Sequence, residues 1–83
     1  MKFIANVTVM PKAELLDPQG KTVAKNMKHL AIEGIGDVRI GKHITLDIDA
    51  ASEAEAAQKT ELACKKLLAN LIMENYSFAI KAV

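Results

Sequence analysis

Apolar and polar residues alternate in residues 2–10, as they do along a β-strand that has one face on a hydrophobic core. One face of this predicted strand holds Phe3, Ala5, Val7 and Val9, and the other holds Ile4, Asn6, Thr8 and Met10. The strand should end at Pro11, because proline has no N–H to donate to a neighbouring strand. Residues 74–83 alternate in the same way and predict another strand at the far end of the chain.

Between these strands, apolar residues at helical spacing predict a first helix over residues 17–33. Asp17 suits the N-cap and Pro18 the first helical position, and Gly34 is a natural stop. Gly20 is an unusual choice, because glycine inside a helix costs about 1 kcal/mol relative to alanine. Either a backbone or an anion packs closely there, or the cap simply tolerates a glycine.

Residues 37–49 keep one alternating phase over about 43 Å, which is too long for a single strand in a small domain. A three-residue loop, residues 41–43, would pair Ile40 with Ile44 and Val38 with Leu46 on one face. A two-residue loop would put these apolar residues on opposite faces. We therefore expect a hairpin with the longer loop, or a sharp bend, at Gly41.

A capping box, residues 52–55, opens a second helix. Its predicted buried stripe consists of Ala56, Thr60, Ala63, Cys64, Leu67 and Leu71. Glu55 with Lys59, and Glu61 with Lys65, form supportive pairs on the exposed face. The predicted element order is therefore β-α-β-β-α-β. This describes one α+β domain over residues 1–83, a ferredoxin-like sandwich with an antiparallel sheet and both helices on one face.

The composition of the chain excludes several classes of partner and compartment. A chain of 83 residues buries only about 60% of its unfolded surface, so we expect it to depend on a partner for stability. A net charge of +1 creates no strong positive electrostatic potential that would attract nucleic acid or an anionic membrane. Neither a signal peptide nor a run of about 18 apolar residues is present, and the single cysteine allows no internal disulfide. These features predict a cytoplasmic protein.

No catalytic or metal-binding constellation stands out among the reactive side chains. Cys64 lies on an apolar stripe, where a small core residue is expected rather than a reactive thiolate. The two histidines have too few neighbouring ligands for a tetrahedral metal site. Asp47 and Asp49 share a strand face that we expect to be solvated, as we do for the lysine stripe of the first helix (Lys21, Lys25 and Lys28). We therefore expect no catalytic, cofactor or metal residues in this chain.

The terminal strands leave apolar residues on the face that points away from the predicted helices. These residues are Ile4, Met10, Ala79 and Val83. An apolar sheet face left open on a small domain usually marks an association surface. We therefore predict that the chain forms a homodimer or a larger homo-oligomer through these residues.

Four segments in register carry a resemblance to a known family. They are Leu16-Asp17-Pro18-Gln19-Gly20-Lys21, Asp37-Val38-Arg39-Ile40-Gly41-Lys42, Cys64-Lys65-Lys66-Leu67-Leu68-Ala69-Asn70 and Glu74-Asn75-Tyr76. In this order and spacing the chain resembles the PurS family, the small subunits of bacterial and archaeal phosphoribosylformylglycinamidine (FGAM) synthase. The resemblance covers nearly the whole chain. One departure is Leu71, where the family usually has a proline.

The resemblance implies a non-catalytic subunit that joins a glutaminase subunit (PurQ-like) to a large synthetase subunit (PurL-like). Such a complex converts formylglycinamide ribonucleotide to the amidine, with ammonia from glutamine and with ATP and Mg used by the large subunit. Assistance with the passage of ammonia between the two sites is a further role that the resemblance implies for the small subunit. Polar residues that match the family pattern without a role in the core are the predicted partner interface: Asp17, Gln19, Arg39 and Lys42.

A different class of function shares the predicted element order. ACT-like regulatory modules bind small molecules at the loop between the first strand and the first helix, here residues 12–20. Such modules are usually fused to an enzyme. A metal carrier of similar fold is a third class, but it would need a Cys-x-x-Cys pair that this chain lacks.

Overall fold

Three antiparallel strands form one sheet in a computed structural model that describes all of residues 1–83. Strand β1 (Lys2–Pro11) lies in the centre, between β2 (Lys42–Asp49) and β3 (Glu74–Ala82). Val7 of β1 is opposite Ile44 of β2 and Phe78 of β3, so the apolar phases of the three strands share one face, called the inner face below. The predicted terminal strands and the antiparallel sheet are confirmed.

One helix covers the inner face. Helix α2 (Glu53–Ala63) begins at the N-cap Ser52, whose hydroxyl accepts the Glu55 N–H, and it packs mainly against β1 and β3. The fully buried core beneath it is small and consists of Ala5, Val7, Val9, Ala56, Thr60 and Cys64. Both predicted pairs on its exposed face are formed, with Lys59 Nζ 3.3 Å from Glu55 and Lys65 Nζ 3.5 Å from Glu61.

The buried stripe predicted for the second helix is wrong in its last turns. Residues Cys64–Leu68 form a π-helical turn, whose wider winding shifts the side chains that follow. Leu68 and Ala69 pack against the core, whereas Leu67 is 81% exposed and Leu71 is also exposed. Asn70 then shapes the turn into β3, since its carbonyl accepts the Glu74 N–H at 2.7 Å.

The predicted hairpin at Gly41 is wrong, and the element order is β-α-β-α-β. β2 begins at Lys42 and pairs with β1 along its whole length, while residues 37–41 are in no strand. Their backbone is engaged elsewhere, because the Ile40 N–H donates to Asp17 and the Val38 carbonyl lies against Gly20. The chain keeps the α+β class with an antiparallel sheet and two helices, but with three strands.

Helix α1 (Pro18–His29) is shorter than the predicted 17–33 and does not lie on the sheet. It ends in a Schellman motif, in which the Ile32 N–H donates to the Met27 carbonyl and the Ala31 N–H to the Lys28 carbonyl. Ala31 adopts the left-handed conformation of this motif (φ 60°), three residues before the predicted stop at Gly34. The prediction that both helices cover one face is therefore wrong for α1.

Residues 18–40, called the arm below, project from one end of the sheet. The chain measures 50 × 27 × 14 Å, with a radius of gyration of 16.3 Å. A compact domain of this length would have a radius of about 12 Å. Neither helix has the length and apolar character that a membrane span requires.

Candidate functional site

The base of the arm is held by a cluster of polar contacts, called the clasp below: Asp17, Gly20, Val38, Arg39 and Ile40. Asp17 caps α1 in an extended conformation, and its Oδ1 accepts the Gly20 N–H at 3.0 Å. Its Oδ2 accepts the Ile40 N–H at 2.8 Å. One carboxylate therefore joins the start of the arm to its end, and it is only 6% exposed.

These contacts favour the ionised form of Asp17. The hydrogen bond from the Gly20 N–H lowers the pKa of Asp17 below its usual value of 3.8, and the bond from Ile40 adds to this effect. Burial of the carboxylate raises the pKa, and the positive charge of Arg39 lowers it, so the balance remains downward. At neutral pH the clasp therefore contains a carboxylate anion.

The Arg39 guanidinium forms the second part of the clasp. Nη1 donates to the Leu15 carbonyl at 3.1 Å and Nη2 to the Lys12 carbonyl at 2.7 Å. Both acceptors lie in the connection between β1 and α1, which forms no regular structure and needs donors for its carbonyls. The planar fork of arginine can serve two carbonyls at once, so one side chain braces this connection against residues 38–40.

Gly20 allows the two sides of the clasp to approach. A Cβ at this position would lie 1.9 Å from the Val38 carbonyl oxygen, which no real side chain could occupy. Of the explanations that the sequence left open for this glycine, close packing by a neighbouring backbone is the one that the structure supports.

The four predicted interface residues lie at the same end of the sheet but differ in availability. The polar groups of Asp17 and Arg39 form hydrogen bonds within the chain. Gln19 is exposed on the first turn of α1 and lines a cavity of about 340 Å³. Lys42 is exposed at the start of β2, 4.0 Å from Glu74 Oε2. Met73 and Glu74 also line the cavity, so it lies between the start of α1 and the turn before β3.

The predicted association residues lie on the outer face of the sheet or beside it. Ile4 and Met10 are half-buried on β1, with Asn6 and Thr8 between them. Ala79 of β3 lies opposite Asn6, and Val83 follows the end of β3 and is 80% exposed. Polar side chains therefore separate the members of this set, which do not form one continuous apolar patch.

A second polar cluster, which the sequence pattern does not predict, lies between α2 and β3. The Tyr76 hydroxyl donates to Glu61 Oε1 at 2.5 Å, and Lys65 also approaches that oxygen. The hydrogen bond to Glu61, with burial, raises the pKa of Tyr76 to about 12. Spacing along the second helix predicted the Glu61–Lys65 pair, and the alternation of residues 74–83 predicted the strand that carries Tyr76. No pattern within one element could join residues of two elements.

Cys64 is fully buried, and burial raises the pKa of its thiol, an effect that the nearby Glu61 increases. The neutral thiol behaves as a small core residue, as predicted. No group of three His, Cys, Asp or Glu side chains is arranged as metal ligands. The clasp can thus position a surface, and the polar groups of Asp17 and Arg39 are already paired within the chain.

Comparison with known proteins shows similarity of the whole chain to one family. The family model PurS, described as phosphoribosylformylglycinamidine (FGAM) synthase, matches residues 4–82. A relative in Synechocystis sp. described as phosphoribosylformylglycinamidine synthase subunit PurS is 43% identical over 77 residues, which cover 93% of this chain and 75% of the relative.

Solved structures show the same fold. The Bacillus subtilis PurS structure matches with a TM-score of 0.87 and 32% identity, and the match covers 96% of this chain and 99% of that one. A chain in the structure of PurLQS from Thermotoga maritima matches with a TM-score of 0.90 and 25% identity, covering 96% of this chain and 98% of that one.

Proposed function

The chain belongs to the PurS family of FGAM synthase subunits, and on this premise we propose that it is the small, non-catalytic subunit of that synthase in purine biosynthesis. The observation that carries the proposal is the match to a chain of the Thermotoga maritima PurLQS assembly over nearly its full length. Its partners are then a PurQ-like glutaminase and a PurL-like synthetase.

In this proposal the chemistry belongs to the partners. The glutaminase releases ammonia from glutamine, and the large subunit uses ATP and Mg to convert formylglycinamide ribonucleotide to the amidine. The small subunit holds the two together in the cytoplasm and assists the transfer of ammonia. The buried Cys64 thiol supports a non-catalytic role, because its pKa is raised and a thiolate is the nucleophilic form.

We assign different tasks to the four predicted interface residues. Gln19 and Lys42 have exposed side chains near the base of the arm, where a partner can reach them. Asp17 and Arg39 hold the backbone of the same region and act as positioning residues. The ACT-like alternative is not favoured, because Arg39 already engages the loop carbonyls where its ligand would lie.

Reconstitution with the two partner subunits tests the proposal. The chain should restore glutamine-dependent synthase activity to a mixture of glutaminase and synthetase that lacks it. If the chain also assists ammonia transfer, its omission should reduce glutamine-dependent activity more than activity with added ammonium salt. Full glutamine-dependent activity without the chain would refute the proposal.

Two substitutions distinguish a residue that contacts the partner, Lys42, from a residue that positions the backbone, Arg39. Lys42→Ala should weaken complex formation by about 2 kcal/mol if Lys42 lies at the centre of an interface, with the melting temperature unchanged. Arg39→Ala should lower both the melting temperature and complex formation. Thr45→Ala, exposed on the outer face of β2, is the matched control. Normal reconstitution by both Lys42→Ala and Arg39→Ala would show that this surface is not the partner interface.

Self-association through the outer face stays a separate proposal for Ile4, Met10, Ala79 and Val83. A charge at Ile4 should weaken it, whereas a charge at Thr45 on the same face should have less effect. The mass of each variant by light scattering at a fixed concentration tests this expectation.

A further inference from the structure

The turn between the π-helical segment and β3, called the tip below, presents large apolar side chains to solvent. Leu71, Ile72 and Met73 form it, and they are 46%, 83% and 53% exposed. Polar and small residues normally dominate tight turns, because they hydrogen-bond to the backbone or allow its sharp bend. A single exposed apolar residue is ordinary. Three in succession at one end of the sheet indicate a surface that another molecule covers.

The backbone of the tip is held by hydrogen bonds within the chain. The Asn70 carbonyl accepts the Met73 N–H at 3.0 Å, which closes a β-turn, and Asn70 Oδ1 accepts the Ile72 N–H at 3.1 Å. The Met73 carbonyl accepts the Lys12 N–H at 2.9 Å, and Glu74 Oε1 accepts the N–H at the start of the turn at 2.7 Å. A partner that binds the exposed side chains therefore does not have to order the turn first.

A cavity of about 340 Å³ adjoins the tip on the side of α1. Met73 lines one side of this cavity, and Leu16 and Gln19 line the other. Leu16 is 66% exposed, so the apolar surface continues from the tip across the cavity. A protein can offer both a pocket for the tip and a side chain for the cavity, whereas a lipid surface offers nothing that fills a depression. The shape therefore fits a protein partner.

The charged side chains around the tip are mainly lysines. Lys42 Nζ lies 4.0 Å from Glu74, whereas Lys12 and the exposed Lys66, in the segment that leads to the tip, form no ion pair. Glu14 is the exposed acidic residue of the connection between β1 and α1. Two copies that met through their tips would bring the lysines together, and like charges at an interface are unfavourable. The complementary surface is therefore apolar with an acidic rim, and it belongs to a different chain.

We propose that the tip docks into an apolar pocket with an acidic rim on a partner subunit of the synthase. This proposal rests on the proposed function, in which the partners are PurL-like and PurQ-like chains. It extends the contact surface assigned to Gln19 and Lys42, since Gln19 lines the cavity beside the tip and Lys42 lies near Glu74. Ile72 is the most exposed of the three apolar side chains, so it enters the pocket of the partner as the anchor.

Binding of the chain to each purified partner subunit tests the proposal. Ile72→Glu should raise the dissociation constant for one of the two subunits about tenfold or more, because it places a negative charge in an apolar pocket with an acidic rim. Leu62→Glu is the matched control, since Leu62 is 54% exposed beside Phe78, and it should bind as the parent chain does. Lys66→Glu should weaken binding to the same subunit, whereas Lys81→Glu at the far end of β3 should not.

A photoprobe identifies the occupant. A benzophenone amino acid in place of Ile72 should cross-link to one partner subunit, in a segment that contains apolar and acidic residues. The same probe in place of Leu62 should not. A cross-link from position 72 to a second copy of the chain, with both partner subunits present, would overturn the proposal.

Reconstitution separates this proposal from the proposed function. The melting temperature of Ile72→Glu should match that of the parent chain, because the side chain is 83% exposed. If the parent chain restores glutamine-dependent activity and Ile72→Glu binds and restores it equally well, docking of the tip is wrong and the proposed function stands. If the parent chain binds neither subunit and restores no activity, both are wrong. Binding to vesicles of phosphatidylcholine and phosphatidylglycerol that Ile72→Glu abolishes, with binding to both subunits unchanged, would assign the tip to a lipid surface instead.

Discussion

Replacement of Gly20 by alanine sets helix propensity against packing in the clasp. Gly20 is the third residue of α1, where alanine is favoured over glycine by about 1 kcal/mol. The new Cβ would lie 1.9 Å from the Val38 oxygen and 2.9 Å from its carbonyl carbon. Cβ atoms essentially never approach other heavy atoms closer than 3.0 Å, so the two backbones must separate by about 1 Å.

This separation should outweigh the gain in helix propensity. Val38 is two residues before Ile40, whose N–H lies 2.8 Å from Asp17, and a displacement of about 1 Å would stretch that bond. Overpacking of this kind costs about 1–3 kcal/mol, which exceeds the propensity gain of about 1 kcal/mol in most of that range. Because the overlap is with backbone and not with a flexible side chain, the cost should lie in the upper part of that range, about 2–3 kcal/mol. We therefore expect Gly20→Ala to lower the free energy of unfolding by about 1–2 kcal/mol.

Thermal unfolding followed by circular dichroism measures the effect. In a domain of this size each kcal/mol corresponds to about 4–8 °C in the melting temperature. Protein concentration must be held fixed, because self-association would make that temperature depend on it. Gly36→Ala is the matched control, since its Cβ would meet nothing within 4 Å. If Gly20→Ala is as stable as the parent chain or more stable, the close approach in the clasp is refuted.

Three further predictions concern single side chains. The carboxyl of Asp17 should titrate below pH 3.8 in a carbon-detected NMR titration. Because folding lowers this pKa, the stability that the carboxylate provides should be complete well above pH 3.8 and should decrease as the pH falls through the lower pKa of the folded state. Asp17→Asn should remove this pH dependence of the free energy of unfolding. Tyr76, the only tyrosine, should ionise near pH 12 by ultraviolet titration, and Glu61→Gln should bring its pKa down towards 10 because the bond to the carboxylate is lost. Ala31→Gly should raise the free energy of unfolding by up to about 1 kcal/mol in urea titration, because glycine adopts the left-handed conformation without strain; an unchanged or lower value would contradict this.

The sequence predicted those elements whose pattern is set by local contacts. β1 and β3 follow from alternation, the start of α2 from its capping box, and the start of α1 from Asp17 and Pro18. The prediction of a hairpin at Gly41 is wrong because the alternation of apolar and polar residues continues through residues 37–41, although only Lys42–Asp49 pair with β1. A pattern of side chains shows which face is apolar, but it does not show which backbone takes up the hydrogen bonds.

The clasp explains why the candidate site was predicted only in part. The sequence predicts Asp17 and Arg39 as partner contacts, because they are polar residues without a role in the predicted core. The structure shows a third use, since connections without regular structure contain carbonyls and N–H groups that need partners when they are buried. Arg39 supplies donors to the Lys12 and Leu15 carbonyls, and Asp17 accepts the Ile40 N–H across 23 residues of chain.

The same contacts connect the stability of the chain to its assembly. A small core of fully buried residues holds the sheet and α2, but nothing in that core fixes the direction of the arm. The clasp bonds both ends of the arm, so it helps to set where exposed side chains at its base, such as Gln19, are presented. Loss of Arg39 should therefore affect complex formation at a distance from its own contacts, whereas loss of the exposed Lys42 side chain should affect complex formation and leave the base of the arm unchanged.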